Sequence, residues 1–196
     1  MRKIAICGGI GSGKSTVCGM FAERGVAIYD SDSRAKALMS ESAELRAALI
    51  AEFGEGCYKG GELNRPYLAE KVFGSEEQLA KLNSIVHPAV KADFLAWAEE
   101  QEGEFCILET AILFESGFDA VVDCSVAVLA PMPLRIERAM QRDGATREQI
   151  EARIKAQMSD DELMRRADFA IVNIHLEDVE KDVAELHYRF KMMPNE

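Results

Sequence analysis

The chain has 196 residues, a formal net charge of −11, and is 48% hydrophobic and 29% charged, which is the profile of a folded domain of ordinary size. The acidic balance argues against a nucleic-acid partner, which needs a basic footprint, and no run of about 18 apolar residues exists to cross a membrane. Five cysteines, none spaced C-x-x-C, point to buried thiols in a reducing, cytoplasmic setting rather than to a disulfide scaffold.

Arg2–Cys7 is short, partly β-branched and followed by glycines, so it predicts a buried strand. The apolar run at its end is too short for the core of a signal peptide. Lys14–Arg24 carries Val17, Met20 and Phe21 at helical spacing and predicts a helix. Val26–Tyr29 predicts a second strand that ends at Asp30. Strand, helix and strand within about 30 residues form a βαβ unit, hence a parallel sheet with right-handed crossovers. From Ser33 to about Glu102 no strand signal stands out. That stretch reads as inserted helices at 33–53, 65–73, 76–86 and 88–102, with a loop near Gly54–Gly61 and a break at His87-Pro88. Phe105–Leu108 and Cys124–Leu129 predict further strands, followed by a helix over 134–142. A polar helical stretch over 145–161 opens with Thr146-Arg147-Glu148-Gln149, which resembles a capping box. Phe169–Val172 predicts the last strand and Leu176–Met192 the last helix.

Gly8-Gly9-Ile10-Gly11-Ser12-Gly13-Lys14-Ser15 spells G-x-x-x-x-G-K-[ST] between the first strand and the first helix. Chance spelling in a chain of this length has a frequency of roughly 1% at average glycine usage. The chemistry explains the spelling. Gly11, Ser12 and Gly13 let backbone N–H groups turn toward phosphates, and the helix beginning at Lys14 adds its positive dipole end. Lys14 is expected to reach the β- and γ-phosphates of ATP, Ser15 to hold Mg²⁺ through its hydroxyl, and Thr16 to donate toward the α-phosphate. Asp30-Ser31-Asp32 lies at the carboxyl end of the second strand, the edge where open parallel sheets bind ligands. A kinase acting on an alcohol needs a carboxylate there to accept the hydroxyl proton, whereas a purely structural reading makes either aspartate a helix cap.

Seven arginines, at 135, 138, 142, 147, 153, 165 and 166, cluster in a segment whose charge is nearly balanced. Arg135, Arg138 and Arg142 fall on one helix face at i, i+3 and i+7. Arginine suits phosphate by its planar fork, so Arg138 and Arg142 are candidate phosphate ligands on a helical lid over 138–165. A solvated helix with local ion pairs is the plainer alternative. Glu109 follows an apolar strand and is a candidate for supporting Mg²⁺. Glu115 is either a paired carboxylate or a loop cap. His175 and His187 lack partners at ligand spacing.

These stretches together resemble the dephospho-CoA kinase family along nearly the whole chain. They are Gly8–Thr16, Asp30-Ser31-Asp32 with Ala35, Leu63-Asn64-Arg65 through Val72-Phe73, and His87-Pro88. Ile112-Leu113-Phe114-Glu115, Arg138 through Gln141-Arg142-Asp143, Arg153 with Gln157, Ala167-Asp168 and Asn173 complete the set. Cys7, Ser31 and Ala111 stand where that family often has threonine, alanine and proline. The resemblance implies phosphorylation of the ribose 3′-hydroxyl of dephospho-CoA by ATP. It implies an α/β, P-loop three-layer sandwich with a parallel five-stranded sheet, and three parts. These are a core from 1–32, 103–137 and 166–196, a helical CoA-binding insertion at 33–102, and the lid. By the same resemblance Asp32 is the base and Asp30 the supporting carboxylate. Arg65, His87 and Glu115 join Asp30 on the substrate side, Arg142 and Lys14 act in transfer, and Asn173 lies near the adenine. The expected form is a monomer or weak homo-oligomer.

Other classes fit less well. A further P-loop kinase, for a nucleotide, sugar or shikimate-like alcohol, would need less room than the insertion offers. A GTPase would carry N-K-x-D and a D-x-x-G after the second strand, and neither is present. A catalytically dead nucleotide-binding module would not need Lys14, Ser15, Asp32 and Arg142 intact.

Overall fold

The computed structural model of the chain describes residues 1–193. It divides into two compact units, Met1–Asp30 with Trp97–Glu196, and Ser31–Ala96.

The first unit is built on β1 (Arg2–Cys7). A glycine-rich turn leads into α1 (Lys14–Ala22), and β2 (Ala27–Asp30) follows. The chain then leaves for the second unit. It returns through β5 (Phe105–Glu109) and β6 (Cys124–Leu129), and later β7 (Phe169–Val172). These strands form one parallel sheet in the order β2-β5-β1-β6-β7. A strand flanked by parallel neighbours and covered on both faces is expected to be apolar, which is why Ile4–Cys7 of β1 and Val126–Leu129 of β6 read as continuous apolar runs without alternation. Every residue of β6 is buried. One face packs Ile4, Ile6, Ile107, Val126 and Ile171 against Val17 and Phe21 of α1 and Val179, Val183 and Phe190 of α9 (Leu176–Met192). The sheet order puts β1 in the centre, so the turn after Cys7 lies at the middle of the carboxyl edge.

Between β6 and β7 run α6 (Met132–Asp143), α7 (Arg147–Lys155) and α8 (Asp160–Arg166). Thr146 and Gln149 cap α7 reciprocally, as the sequence suggests. The single helix expected over 145–161 is interrupted. Ser159 accepts from the Glu162 N–H and starts α8, whose first turn is acidic at Asp160, Asp161 and Glu162 and so suits the helix dipole.

The second unit holds α2 (Ser31–Glu41), α3 (Ala43–Phe53), a hairpin of β3 (Tyr58–Lys59) and β4 (Glu62–Leu63), α4 (Arg65–Val72) and most of α5 (Glu76–Glu99). Three expectations are corrected here. The helix expected over 33–53 is two, because the Ser42 hydroxyl accepts from the Leu45 N–H at 3.2 Å and restarts the helix. The loop near Gly54–Gly61 holds the first strand and the turn of the hairpin, whose two-residue strands are too short to give a periodic signal. Pro88 does not break the chain but lies inside α5. An interior proline costs about 3 kcal/mol, and a 24-residue helix with Val86, Val90, Phe94 and Ala98 buried along it outweighs that.

Candidate active site

The turn from Gly8 to Gly13 wraps back on itself. The Ser12 N–H donates to the Gly9 carbonyl at 3.2 Å, and the Thr16 and Val17 N–H groups both donate to the Gly13 carbonyl at 3.1 Å. Gly13 is the N-cap of α1, in the left-handed region at φ 96°, and no side chain caps the helix. The start of α1 thus presents backbone donors and the positive dipole end, an arrangement suited to an anion. Only glycine serves at position 13. The φ is unfavourable to a side chain, and a Cβ there would overlap the Asn173 amide nitrogen.

A cavity of about 340 Å³ opens on this turn. It is lined by Gly11, Gly13, Lys14, Ser15 and Thr16 from the turn and α1, and by Arg138, Ala139 and Arg142 from α6. The lysine and both arginines therefore surround one space at the helix N-terminus. A larger cavity of about 530 Å³ lies between α6, α7 and α8, lined by Met132, Ile136, Ile154 and Met158, with Glu151, Asp160 and Asp161 beside Arg135 and Lys155. Its carboxylates outnumber its cations, and Arg135 is already paired with Asp160, so the smaller cavity has the charge that suits a triphosphate.

The arginines of the segment have separate surroundings. Arg135 is buried, and its Nη1 pairs with Asp160 Oδ1 at 2.7 Å. Arg138 donates from Nη1 to the Asn173 carbonyl at 3.3 Å and from Nη2 to Asn173 Oδ1 at 3.4 Å. Arg142 is exposed and donates from Nε and Nη2 to the Asp143 carboxylate at 2.7 and 3.2 Å, which Arg153 also reaches at 3.0 Å. The Arg142 hydrogen bond is the first cause that holds the Asp143 carboxyl below its usual range. Arg147 pairs with Glu151, and Arg166 with Asp119. Arg135, Arg138 and Arg142 all lie on α6, but only the last two line the cavity, and Arg135 is buried against the glycine-rich turn.

The acids sort as clearly. Ser15 Oγ donates to Glu109 Oε1 at 2.7 Å. Glu109 ends β5, beside β1 and in register with Asp30 on β2. The strand ends thus bring Ser15, Glu109 and Asp30 to the same sheet edge. Asp32 lies two residues on from Asp30, exposed in the first turn of α2, in the second unit. The helix starts at Ser31 rather than Ser33, so Asp32 is inside it and not its cap. Arg65 opens α4 and is exposed. His87 is half-buried within α5, and burial, with Lys91 adding to it, pushes its pKa down. Glu115 is exposed in the loop after β5, and its Oε1 accepts from the Met158 N–H at 3.1 Å. Asn173 is buried, with its Nδ2 donating to the Ser12 carbonyl at 2.9 Å.

Among the described residues no group of three or more His, Cys, Asp or Glu side chains is placed to hold a metal ion. A Mg²⁺ would meet Ser15 and Glu109, both hard oxygen donors as that ion requires. All five cysteines are free and buried. Burial pushes the Cys7 thiol up to about 12, which removes it as a nucleophile next to the cavity.

The sequence profile of dephospho-CoA kinase matches residues 2–178. The chain belongs to the dephospho-CoA kinase family. It is 45% identical over 172 residues to the dephospho-CoA kinase of Bacteroides fragilis strain YCH46, covering 87% of this chain and 84% of that one. The Salinibacter ruber dephospho-CoA kinase is 42% identical over 193 residues, 96% of this chain and 97% of its own. A crystal structure from Thermus thermophilus superposes with a TM-score of 0.81 at 32% identity, over 98% of both chains. A shikimate kinase from Acinetobacter baumannii, at 16% identity and TM-score 0.62 over 98% of this chain and 96% of its own, shares the fold. Membership of the dephospho-CoA kinase family makes the chain an ATP-dependent kinase, and the cavity at Lys14, Arg138 and Arg142 has the charge that ATP requires.

Proposed function

We propose that the chain transfers the γ-phosphate of ATP to the ribose 3′-hydroxyl of dephospho-CoA, giving CoA and ADP. The observation that carries this reading is the cavity in which Lys14, Arg138 and Arg142 face the uncapped start of α1. Phosphoryl transfer has little covalent chemistry for a protein to do, so positioning and positive charge supply most of the rate. Gly11, Ser12, Gly13 and Thr16 offer backbone and hydroxyl donors to the phosphates, and Lys14 and Arg142 meet the charge that develops on the moving group. Arg138 sits between the cavity and Asn173, which suits contacts toward the nucleoside end of ATP.

Asp32 is the proposed base. It takes the proton of the 3′-hydroxyl as that oxygen attacks the γ-phosphorus, and the bond to the β–γ bridging oxygen breaks to release ADP. Asp30, two residues before it in the chain, supports the acceptor. Mg²⁺, when bound, draws off charge on the phosphate oxygens, and Ser15 with Glu109 would hold it. Arg65 and His87, in the unit spanning 31–96, and Glu115 are proposed for the acceptor side. The insertion at 33–102 would receive the CoA portion and residues 138–165 would act as the lid. The buried free thiols suit a reducing cytoplasm, and a monomer or weak homo-oligomer is the proposed working form.

The test is a coupled assay of ADP release with dephospho-CoA, AMP, adenosine and shikimate side by side. Turnover is expected with dephospho-CoA. Turnover on another alcohol with none on dephospho-CoA would overturn the reading.

A further inference from the structure

Two polar side chains outside the phosphate cavity, and an apolar cluster, meet the outer side of the glycine-rich turn. Arg135, on α6, donates from Nε to the Ile10 carbonyl at 3.0 Å, while its Nη1 pairs with Asp160. Gln157, in the turn between α7 and α8, accepts the Ile10 N–H on its Oε1 at 2.8 Å. The Ile10 side chain packs against Ile136, Ile150 and Ile154 of α6 and α7. Both polar groups of one residue at the tip of the loop are therefore held from outside, by side chains 125 and 147 residues away.

The consequence follows from peptide geometry. Each peptide group is planar and trans, so its carbonyl and its N–H point in opposite directions. With the Ile10 carbonyl drawn toward Arg135, the N–H of Gly11 must face the other way, toward the phosphates. With the Ile10 N–H drawn toward Gln157, the Gly9 carbonyl must also face inward. It is found there, accepting from Ser12 N–H at 3.2 Å and lying 3.5 Å from Lys14 Nζ. Gly11, at φ 74°, lies so close to Arg135 that a Cβ on it would overlap the Arg135 carbonyl. A loop rich in glycine has low barriers to peptide flips, and a flip at Ile10–Gly11 would turn a carbonyl oxygen onto the phosphates.

We infer that Arg135 and Gln157 are positioning residues for ATP, which fix the two peptide planes on either side of Ile10 so that, before nucleotide arrives, the Gly11 N–H faces the phosphates and the Gly9 carbonyl is held on the Ser12 N–H and beside Lys14. The inference rests on the reading of this turn as the ATP site. It also links that site to the turn between α7 and α8, since Gln157 and Asp160 border it and Glu115 holds its Met158 N–H.

The test uses Gln157→Leu, which removes the acceptor, and Gln157→Glu, which keeps one. ATP affinity by calorimetry and the KM and kcat for each substrate are the readouts. Loss of one such hydrogen bond predicts a rise of about five- to tenfold in Kd and KM for ATP in the Leu variant. The kcat and the KM for dephospho-CoA stay within about twofold, and the Glu variant recovers most of the ATP affinity. Unchanged ATP affinity in the Leu variant overturns the inference. So does any pattern in which the Leu and Glu variants lose kcat, both KM values and Tm together. Lys14→Met is run in parallel. Normal turnover of that variant would mean that the ATP-site reading has failed. If it is inactive while both Gln157 variants bind ATP normally, only the positioning role has failed.

Discussion

The side-chain amide of Asn173 reaches the Ser12 carbonyl at 2.9 Å, and its nitrogen fills the space that a Cβ on Gly13 would need. The same side chain accepts from Arg138. One residue at the end of β7 therefore braces the phosphate turn and orients an arginine of the cavity. Asn173→Ala leaves the Ser12 carbonyl without that donor and opens space behind Gly13. The expected loss is about 1–3 kcal/mol of stability, read by urea unfolding with an unchanged slope, together with a raised KM for ATP. A variant as stable as the parent would show that the contact contributes nothing.

Asp32→Asn removes the proposed proton acceptor and keeps its shape. General-base contributions are typically about 10²- to 10⁴-fold, so kcat is expected to fall by that order while ATP affinity is retained. Calorimetry for ATP and the coupled assay separate the two. Near-parent turnover would remove Asp32 from the role.

Glu109 engages the hydroxyl that the proposal assigns to Mg²⁺. In Glu109→Gln the carboxylate charge is gone but the Ser15 Oγ still finds an acceptor. The Mg²⁺ concentration for half-maximal rate is expected to rise about tenfold. A titration of rate against Mg²⁺ at saturating ATP measures it, and an unshifted midpoint would argue that Glu109 only orients Ser15.

His187 packs against Phe21 and Phe105, and burial, then Lys191 and Arg24, push its pKa below the ordinary 6.5. The unfolded chain takes up the proton first as pH falls, so stability declines as pH drops through 6.5 toward the folded value and is retained above it. His187→Gln removes this dependence. Unfolding midpoints in urea at about pH 7.5 and 5.5 bracket the ordinary histidine range, and the variant is expected to lose less between them than the parent. An equal loss in both would place the acid sensitivity elsewhere.

The parallel sheet was legible because buried parallel strands leave short apolar runs next to glycine and proline, and Ile4–Cys7 before Gly8 and Val126–Ala130 before Pro131 are such runs. The glycine-rich turn was legible because its requirement is local: spelling, a strand before, a helix after. Breaks within helical stretches were harder. Ser42 and Ser159 restart helices by capping, yet serine also occurs inside helices, and Pro88 lies within a helix long enough to absorb it. The supports of the turn were not legible. Arg135 shares a helix face with Arg138 and Arg142, and nothing in its spacing says that the face is roofed at one end by the glycine-rich turn and open at the other. Gln157 and Asn173 act on residues 147 and 161 positions away, a relation that only the fold creates.

Those separations have a consequence for synthesis. Residues 8–15 are translated before β5 and β6, which β1 needs as neighbours, and the last brace, Asn173, follows β7. The nucleotide site is therefore among the most non-local features of the chain, and non-local pairings are the slow ones to form. A nascent chain that stops short of residue 173 carries the complete phosphate motif without its brace. Nucleotide binding during translation would thus mark the moment at which the sheet closes, and ATP would stabilise the finished core rather than guide its assembly.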